Sequence, residues 1–302
     1  MNMHANSLPA PDTQATAPAA VPGSQVLYWS VQRELWESRY LYTVPLVVAA
    51  VTVFGFLIAT IGRALATPDL ARRLAVLQEP YHFATALIMG AAFIAGLFYC
   101  LDALHGERRD RSILFWKSLP VSDLTTVLSK MTIPLVVVPL LTMAIVVATE
   151  WIMLLLSSLV LLGSGLSVAK LWTAMSLPQM WLGLLYHTVT VHALWYAPIY
   201  AWLLLVSGWA RRAAILWAAL PAVAVGVIEK VAFNTTHFAA WLQYRFSGPE
   251  HYDLPSRGAS GDPMMHLHLA TFLSTPGLWL GLAAATIFLG LAVRQRRYQG
   301  PI

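Results

Sequence analysis

The sequence predicts an all-α membrane protein: six transmembrane helices, an interfacial helix before the first, and a short cytoplasmic helix between the second and third. Two observations carry this. The 302-residue chain is 58% hydrophobic and only 11% charged, where soluble domains carry about a quarter charged residues. Several of its apolar runs also reach the roughly 20 residues that a helix needs to cross a bilayer core.

The elements follow in order. Residues 1–24 are rich in Ala, Pro, Ser and Thr and lack a basic segment followed by an apolar one. They read as a disordered tail rather than a cleavable signal. In QVLYWSVQRELWESRY, Leu27, Val31, Leu35 and Trp36 form a stripe, with Arg33, Glu34 and Glu37 off it, the pattern of a helix lying in the membrane interface. A single transmembrane domain, 25–298, then holds spans at about 41–62, 83–103, 131–162, 181–209, 213–233 and 276–293. The third is long, about 48 Å if wholly helical, and Pro134 and Pro139 predict a kink in it. No internal repeat stands out.

Basic residues set the orientation. With both termini inside, the inner set is Arg33, Arg39, Arg108, Arg109, Arg111, Lys117, Lys130, Arg211, Arg212, Arg294, Arg296 and Arg297. The outer set is Arg63, Arg72, Arg73, Lys170, Arg245 and Arg257, with Lys230 in or near the fifth span. The bias favours cytoplasmic termini. It also accounts for the pI near 9.4 without nucleic acid. One cysteine, Cys100, excludes an internal disulfide and a cysteine-rich metal site.

The densest charge lies in HGERRDRSILFWKSLPVSDLTTVLSK, His105 to Lys130. Glu107 and Arg111 stand four apart, a spacing that supports a helix by ion pairing. Ser122 is placed to cap a new helix, and Leu124, Val127, Leu128, Met131 and Leu135 then recur at helical spacing. Ile113, Leu114, Phe115 and Trp116 form an apolar knob among charges. Such a segment serves either as a docking surface or as a membrane-hugging connector.

The segment from Asp102 to Lys130 resembles the cytoplasmic loop between the second and third spans of type-2 ABC transporter permeases. The likeness rests on Asp102, Glu107, Arg108, the pair Ile113 and Leu114, the turn Ser118 to Ser122, and Lys130. Elsewhere it is a likeness of hydropathy and span layout. The resemblance implies that the loop is a coupling helix docking on a separate ATP-binding subunit, with Glu107, Arg108, Arg111, Ile113, Leu114, Phe115 and Trp116 as docking residues. It also implies two permease chains with two ATPase chains, ATP and Mg bound by the partner, and no catalytic residue or cofactor in this chain. The chain contains no GxxxxGK[ST] phosphate loop, as that arrangement requires. The absence of a large outer domain favours export of a hydrophobic or amphiphilic compound, and the compact layout favours a bacterial inner membrane.

Glu150 in the third span and Glu229 and Lys230 in the fifth read either as anchors near the outer boundary or as a gate or substrate contact. His187 and His192, five apart, read as polar helix–helix contacts. His237, His251, His266 and His268 share one long outer loop without completing a recognised metal site. Trp195, Tyr196 and Tyr200 belong either to the interfacial aromatic belt or to a cavity wall. Two other readings stay open: an intramembrane enzyme built on Glu150, Glu229 and the histidines, and an ABC-like complex that signals or assembles without transport.

Overall fold

A computed structural model describes residues 22–62, 70–163, 169, 172, 177–248 and 269–302. Most of the tail expected at 1–24 and three of the loop histidines, His251, His266 and His268, lie outside the described residues. So does Lys170.

Every regular element among the described residues is helical. Helix α1, Gly23–Glu37, begins within the stretch read as tail and ends one residue before a break at Ser38. Helix α2, Tyr40–Gly55, passes into a π-helical turn, Phe56–Ile61. Helix α3, Leu70–Ala103, starts well before the expected second span. Two short helices follow, α4 at His105–Arg109 and α5 at Ile113–Ser118. Helix α6, Asp123–Thr132, runs through a π-helical segment, Ile133–Val137, into α7, Val138–Gly163. The wider turn falls at Pro134, which has no N–H to give and would clash with the carbonyl four residues back in a regular helix. The sequence-predicted irregularity is therefore present at Pro134. Pro139 is absorbed as α7 begins.

The expected fourth span is not one straight helix. Helix α8, Leu177–His187, becomes π-helical over Thr188–Trp195 and then bends by 44° into α9, Ala197–Trp209. Pro198 sits in the first turn of α9, where its missing N–H has no intrahelical partner to lose. Helix α10, Ala214–Phe233, is bounded by two left-handed residues, Ala213 (φ 48°) and Asn234 (φ 51°). Then come α11, His237–Ser247, α12, Leu269–Ser274, and α13, Pro276–Tyr298.

Among the described residues, five helical stretches are long and apolar enough to cross a membrane: Tyr40–Ala59, Pro80–Arg109, Asp123–Leu162, Ala214–Phe233 and Pro276–Tyr298. The bent pair α8–α9 makes six if it counts as one span.

The largest core joins α2, α3, α6, α9 and α13 through Leu41, Tyr99, Val127, Met131, Tyr200 and Leu204, with Ala92, Ala95, Ala197, Ala201, Ala285 and Ala292 between them. Small residues matter here because lipid is as apolar as leucine. Helices in a bilayer gain by close approach rather than by escaping water. Gly208 marks a close crossing of α9 and α13: a Cβ there would come within 2.7 Å of the Gln295 amide oxygen.

Candidate functional site

The loop between α3 and α6 folds back on the end of the bundle. Arg111 adopts the left-handed conformation (φ 60°) and reverses the chain between α4 and α5. The expected Glu107–Arg111 pair is therefore not formed: α4 ends at Arg109, before a fourth-residue partner can come round. Leu119 is extended, as a residue before proline prefers. Ser122 does cap α6, its hydroxyl accepting from the Thr125 amide at 3.0 Å, with Asp123 in the first turn.

Beneath the loop lies a buried ion knot. Glu34 of α1 accepts from Lys130 Nζ at 2.8 Å and from Arg33 at 2.5 Å through one carboxylate oxygen. Its other oxygen accepts from the Tyr99 hydroxyl at 2.9 Å. Glu107 lies 3.0 Å from Lys130 and 3.6 Å from Arg33, and pairs with Arg296 of α13 through its second oxygen. Arg296 also stands 3.3 Å from Asp123. The side chains of Glu34, Lys130 and Arg296 are 2–3% exposed and that of Glu107 is 8% exposed. Three carboxylates, Glu34, Glu107 and Asp123, thus face three cations, Arg33, Lys130 and Arg296, and at the exposed rim a fourth carboxylate, Glu37, reaches Arg33 at 3.5 Å. Neutrality is what allows such burial, since each isolated ion would cost several kcal/mol to desolvate.

The electrostatics differ sharply along one turn of α1. Burial pushes the Glu34 carboxyl up, but Lys130 and Arg33 beside it outweigh this and hold it below its ordinary value. Glu37 shows the opposite balance. Burial raises it first, and the negative charges of Glu34 and Glu107 add to that against the pull of Arg33 and Lys130.

The knot also corrects the reading of α1. Glu34 does not sit on a solvent face: it shares the inward stripe with Leu27, Val31 and Leu35, while Trp36 is exposed. The spacing 27, 31, 34 was the available signal. Arg33, Lys130, Arg296 and Tyr99 join it only through tertiary packing.

A second set of contacts straps the loop down. Arg108 donates to the Gly208 carbonyl at 2.5 Å and to the Gly300 carbonyl at 3.2 Å, and its own carbonyl accepts from Ile302 N at 3.2 Å. Lys117 Nζ donates to the carbonyls of Gln299 (3.0 Å) and Arg297 (3.4 Å). Arg33 stacks on Trp116, 3.7 Å from its ring centre.

The seven residues read as docking contacts therefore separate into two groups. Glu107, Arg108 and Ile113 are buried inside the chain, and Trp116 is half-buried under Arg33. Leu114 and Phe115 project outward, 59% and 58% exposed, with Arg111 exposed beside them. An i, i+1 apolar pair on one short helix turns outward because Ile113 and Trp116 take its inner face.

The polar membrane residues do not converge. Glu150 is buried and accepts from Thr85 Oγ1 at 2.8 Å and Trp181 Nε1 at 2.7 Å, so it neither reaches water nor forms a Lys or Arg pair among the described residues. Glu229 accepts from Thr235 Oγ1 (2.7 Å), His237 N (2.6 Å) and Phe238 N (2.8 Å), closing the start of α11, whose first amides have no helical partner. Lys230 is exposed. His192 is buried against Phe93 and hydrogen-bonded to the Tyr200 hydroxyl at 3.1 Å, a polar contact within the bundle. Trp195 and Tyr200 are fully buried core residues rather than a cavity wall. No group of three metal-binding side chains occurs among the described residues.

Comparison with models of known protein families, with characterised proteins and with solved structures gives no match.

Proposed function

We propose that the chain is the permease subunit of an ABC transporter. In this reading α8 and α9 form one broken span, which makes six, and a second copy completes the pathway. A separate ATPase binds ATP and Mg, and the complex exports a hydrophobic or amphiphilic compound across a bacterial inner membrane. The observation that carries the reading is the pairing of an outward apolar tip, Leu114–Phe115, with the ion knot directly behind it.

The physical logic runs from the tip inward. Exposed apolar side chains on a short helix present the anchor that a partner groove takes up. Force applied there meets α4, whose Glu107 is locked to α1, α6 and α13 at once. A neutral, dry network of this kind moves as a block, because separating any member strands a buried charge. Closure of the ATPase pair would then shift these three helices together, and the two-state bundle would follow. The shared end of α1, the loop and the C-terminal segment is consistent with both termini on the cytoplasmic side. An intramembrane enzyme gains no support, since Glu150, Glu229 and His192 occupy separate environments with separate partners.

The test is co-purification with an ATPase carrying GxxxxGK[ST]. The double variant Leu114→Ala, Phe115→Ala is expected to lose the ATPase while keeping the wild-type melting temperature, because both side chains are exposed. An ATPase held equally well by both proteins, or by neither, counts against the proposal.

A further inference from the structure

A long apolar trough runs along the seam of α2 and α7, on the outside of the bundle. Its volume is about 790 Å³, within the ~300–1,000 Å³ range of small-molecule pockets. It reaches from Tyr42 at one end to Leu57 at the other, a rise of about 22 Å at 1.5 Å per residue. One leaflet contributes about half of a ~30 Å hydrocarbon core, so the trough takes an acyl chain at its full depth.

Alanine keeps this space open. Ala50 on α2 is exposed within it, as are Ala144 and Ala148, one turn apart on α7. No acidic side chain lines the trough, and only two lining side chains carry a hydroxyl. Thr149 donates its own to the Ile145 carbonyl at 2.7 Å, which leaves Tyr42 as the polar group at the mouth. The mouth is also cationic. The Arg39 carbonyl accepts from the amides of Tyr42 (3.2 Å) and Thr43 (3.1 Å), so Arg39 is in register with α2. Spacings of seven, four and three then put Arg39, Leu46, Ala50 and Val53 on one stripe, with Arg39 exposed at its foot.

A bilayer does not leave such a space empty, because the lining atoms would lose their contacts. A lipid chain and a second copy of the chain are the two fillers at hand. A two-fold contact would set trough against trough. Two concave faces leave the space unfilled, and the two Arg39 side chains would lie at one depth and repel. A flexible acyl chain fills an irregular apolar trough, and a phosphate at its head meets Arg39 and the Tyr42 hydroxyl. We infer that the α2–α7 trough binds an anionic phospholipid, one acyl chain lying along the alanines and the headgroup held by Arg39 and Tyr42. Such a site stands whether or not an ATPase docks on the loop.

The full chain in dodecyl maltoside micelles is titrated with radiolabelled dioleoyl phosphatidylglycerol. Dioleoyl phosphatidylcholine tests the headgroup charge, and dihexanoyl phosphatidylglycerol tests the chain. Saturable binding is expected, several-fold tighter than for phosphatidylcholine, in line with one arginine at the headgroup, and not displaced by the short-chain lipid. Arg39→Gln is expected to erase that preference. Ala144→Phe is expected to weaken both long-chain lipids about tenfold, the effect of displacing roughly two methylenes. If Ala144→Phe fails to fold, Ala50→Phe, also at an exposed position, takes its place. Equal affinity for the two headgroups, unchanged affinity in the folded trough variants, or displacement by dihexanoyl phosphatidylglycerol overturns the site. So does a trough variant that turns a dimer into a monomer at unchanged lipid affinity, which assigns the trough to a second copy. The two proposals fail separately. Lipid binding without any ATPase partner leaves the site and removes the transporter, whereas a loop-dependent ATPase without lipid binding does the reverse.

Discussion

Lys130→Met gives the sharpest test of the ion knot. The substitution keeps an unbranched side chain of similar length and removes one positive charge that lies 2.8 Å from Glu34 and 3.0 Å from Glu107. Coulomb attraction at those separations is about 6 kcal/mol for each contact at an effective dielectric near 20, and most of it offsets the desolvation of the ammonium. What remains after one partner of a buried pair is removed is typically ~3–5 kcal/mol of destabilisation. Arg33 and Tyr99 still serve Glu34, and Arg296 still serves Glu107, so the lower end, ~3 kcal/mol, is expected. That is about a hundredfold in the folded-to-unfolded ratio, read by equilibrium unfolding in mixed micelles. The double variant Lys130→Met, Glu34→Gln removes one charge of each sign from the knot. It should therefore be less destabilised than the sum of the single variants by ~1 kcal/mol or more. Strict additivity, or a Lys130→Met protein as stable as wild type, refutes the knot as an energetic unit.

Acid should act through the same group. Because the Glu34 carboxyl is held below its ordinary value of 4.5 in the folded chain, its contribution is fully present above pH 4.5 and is lost as pH falls through the lower folded value. Unfolding followed between pH 6 and pH 3 should show a smaller acid-induced loss in Glu34→Gln than in wild type. A Cβ at Gly281 would overlap the guanidinium of Arg245, which rests on Trp195 and donates to the Gly277 carbonyl at 3.0 Å. Gly281→Ala should cost ~1–3 kcal/mol and dim or shift Trp195 fluorescence, and Arg245→Ala in that background should restore part of the stability. Glu229→Ala should remove the N-terminal closure of α11 at ~1 kcal/mol, seen as faster amide exchange at His237 and Phe238 with α10 unchanged.

The loop shows how far local pattern reaches. Ser122 as a cap and the helical run from Leu124 onward were readable because a cap and a 3.6-residue period depend on neighbours in the chain. The assignment of Glu107 and Arg108 to an outer surface was not sound, because their partners, Lys130, Arg296, Gly208 and Gly300, lie between 23 and 192 residues away. Charge in a loop reads as exposed unless something far off neutralises it. Likewise depth alone left Glu150 between a boundary anchor and a gate or substrate contact, when Thr85 and Trp181 on two other helices meet it there.

By itself the sequence determined that this is an all-helical membrane chain, roughly where its apolar stretches begin and end, and where proline disturbs them. Those properties follow from bilayer thickness and from the chemistry of each residue with its immediate neighbours. Only the tertiary structure decided which charges are buried together, which apolar side chains of the loop point outward, and that Thr85 and Trp181 meet Glu150. In a bundle these outcomes depend on how helices distant in sequence turn toward one another, and no short window of residues carries that information.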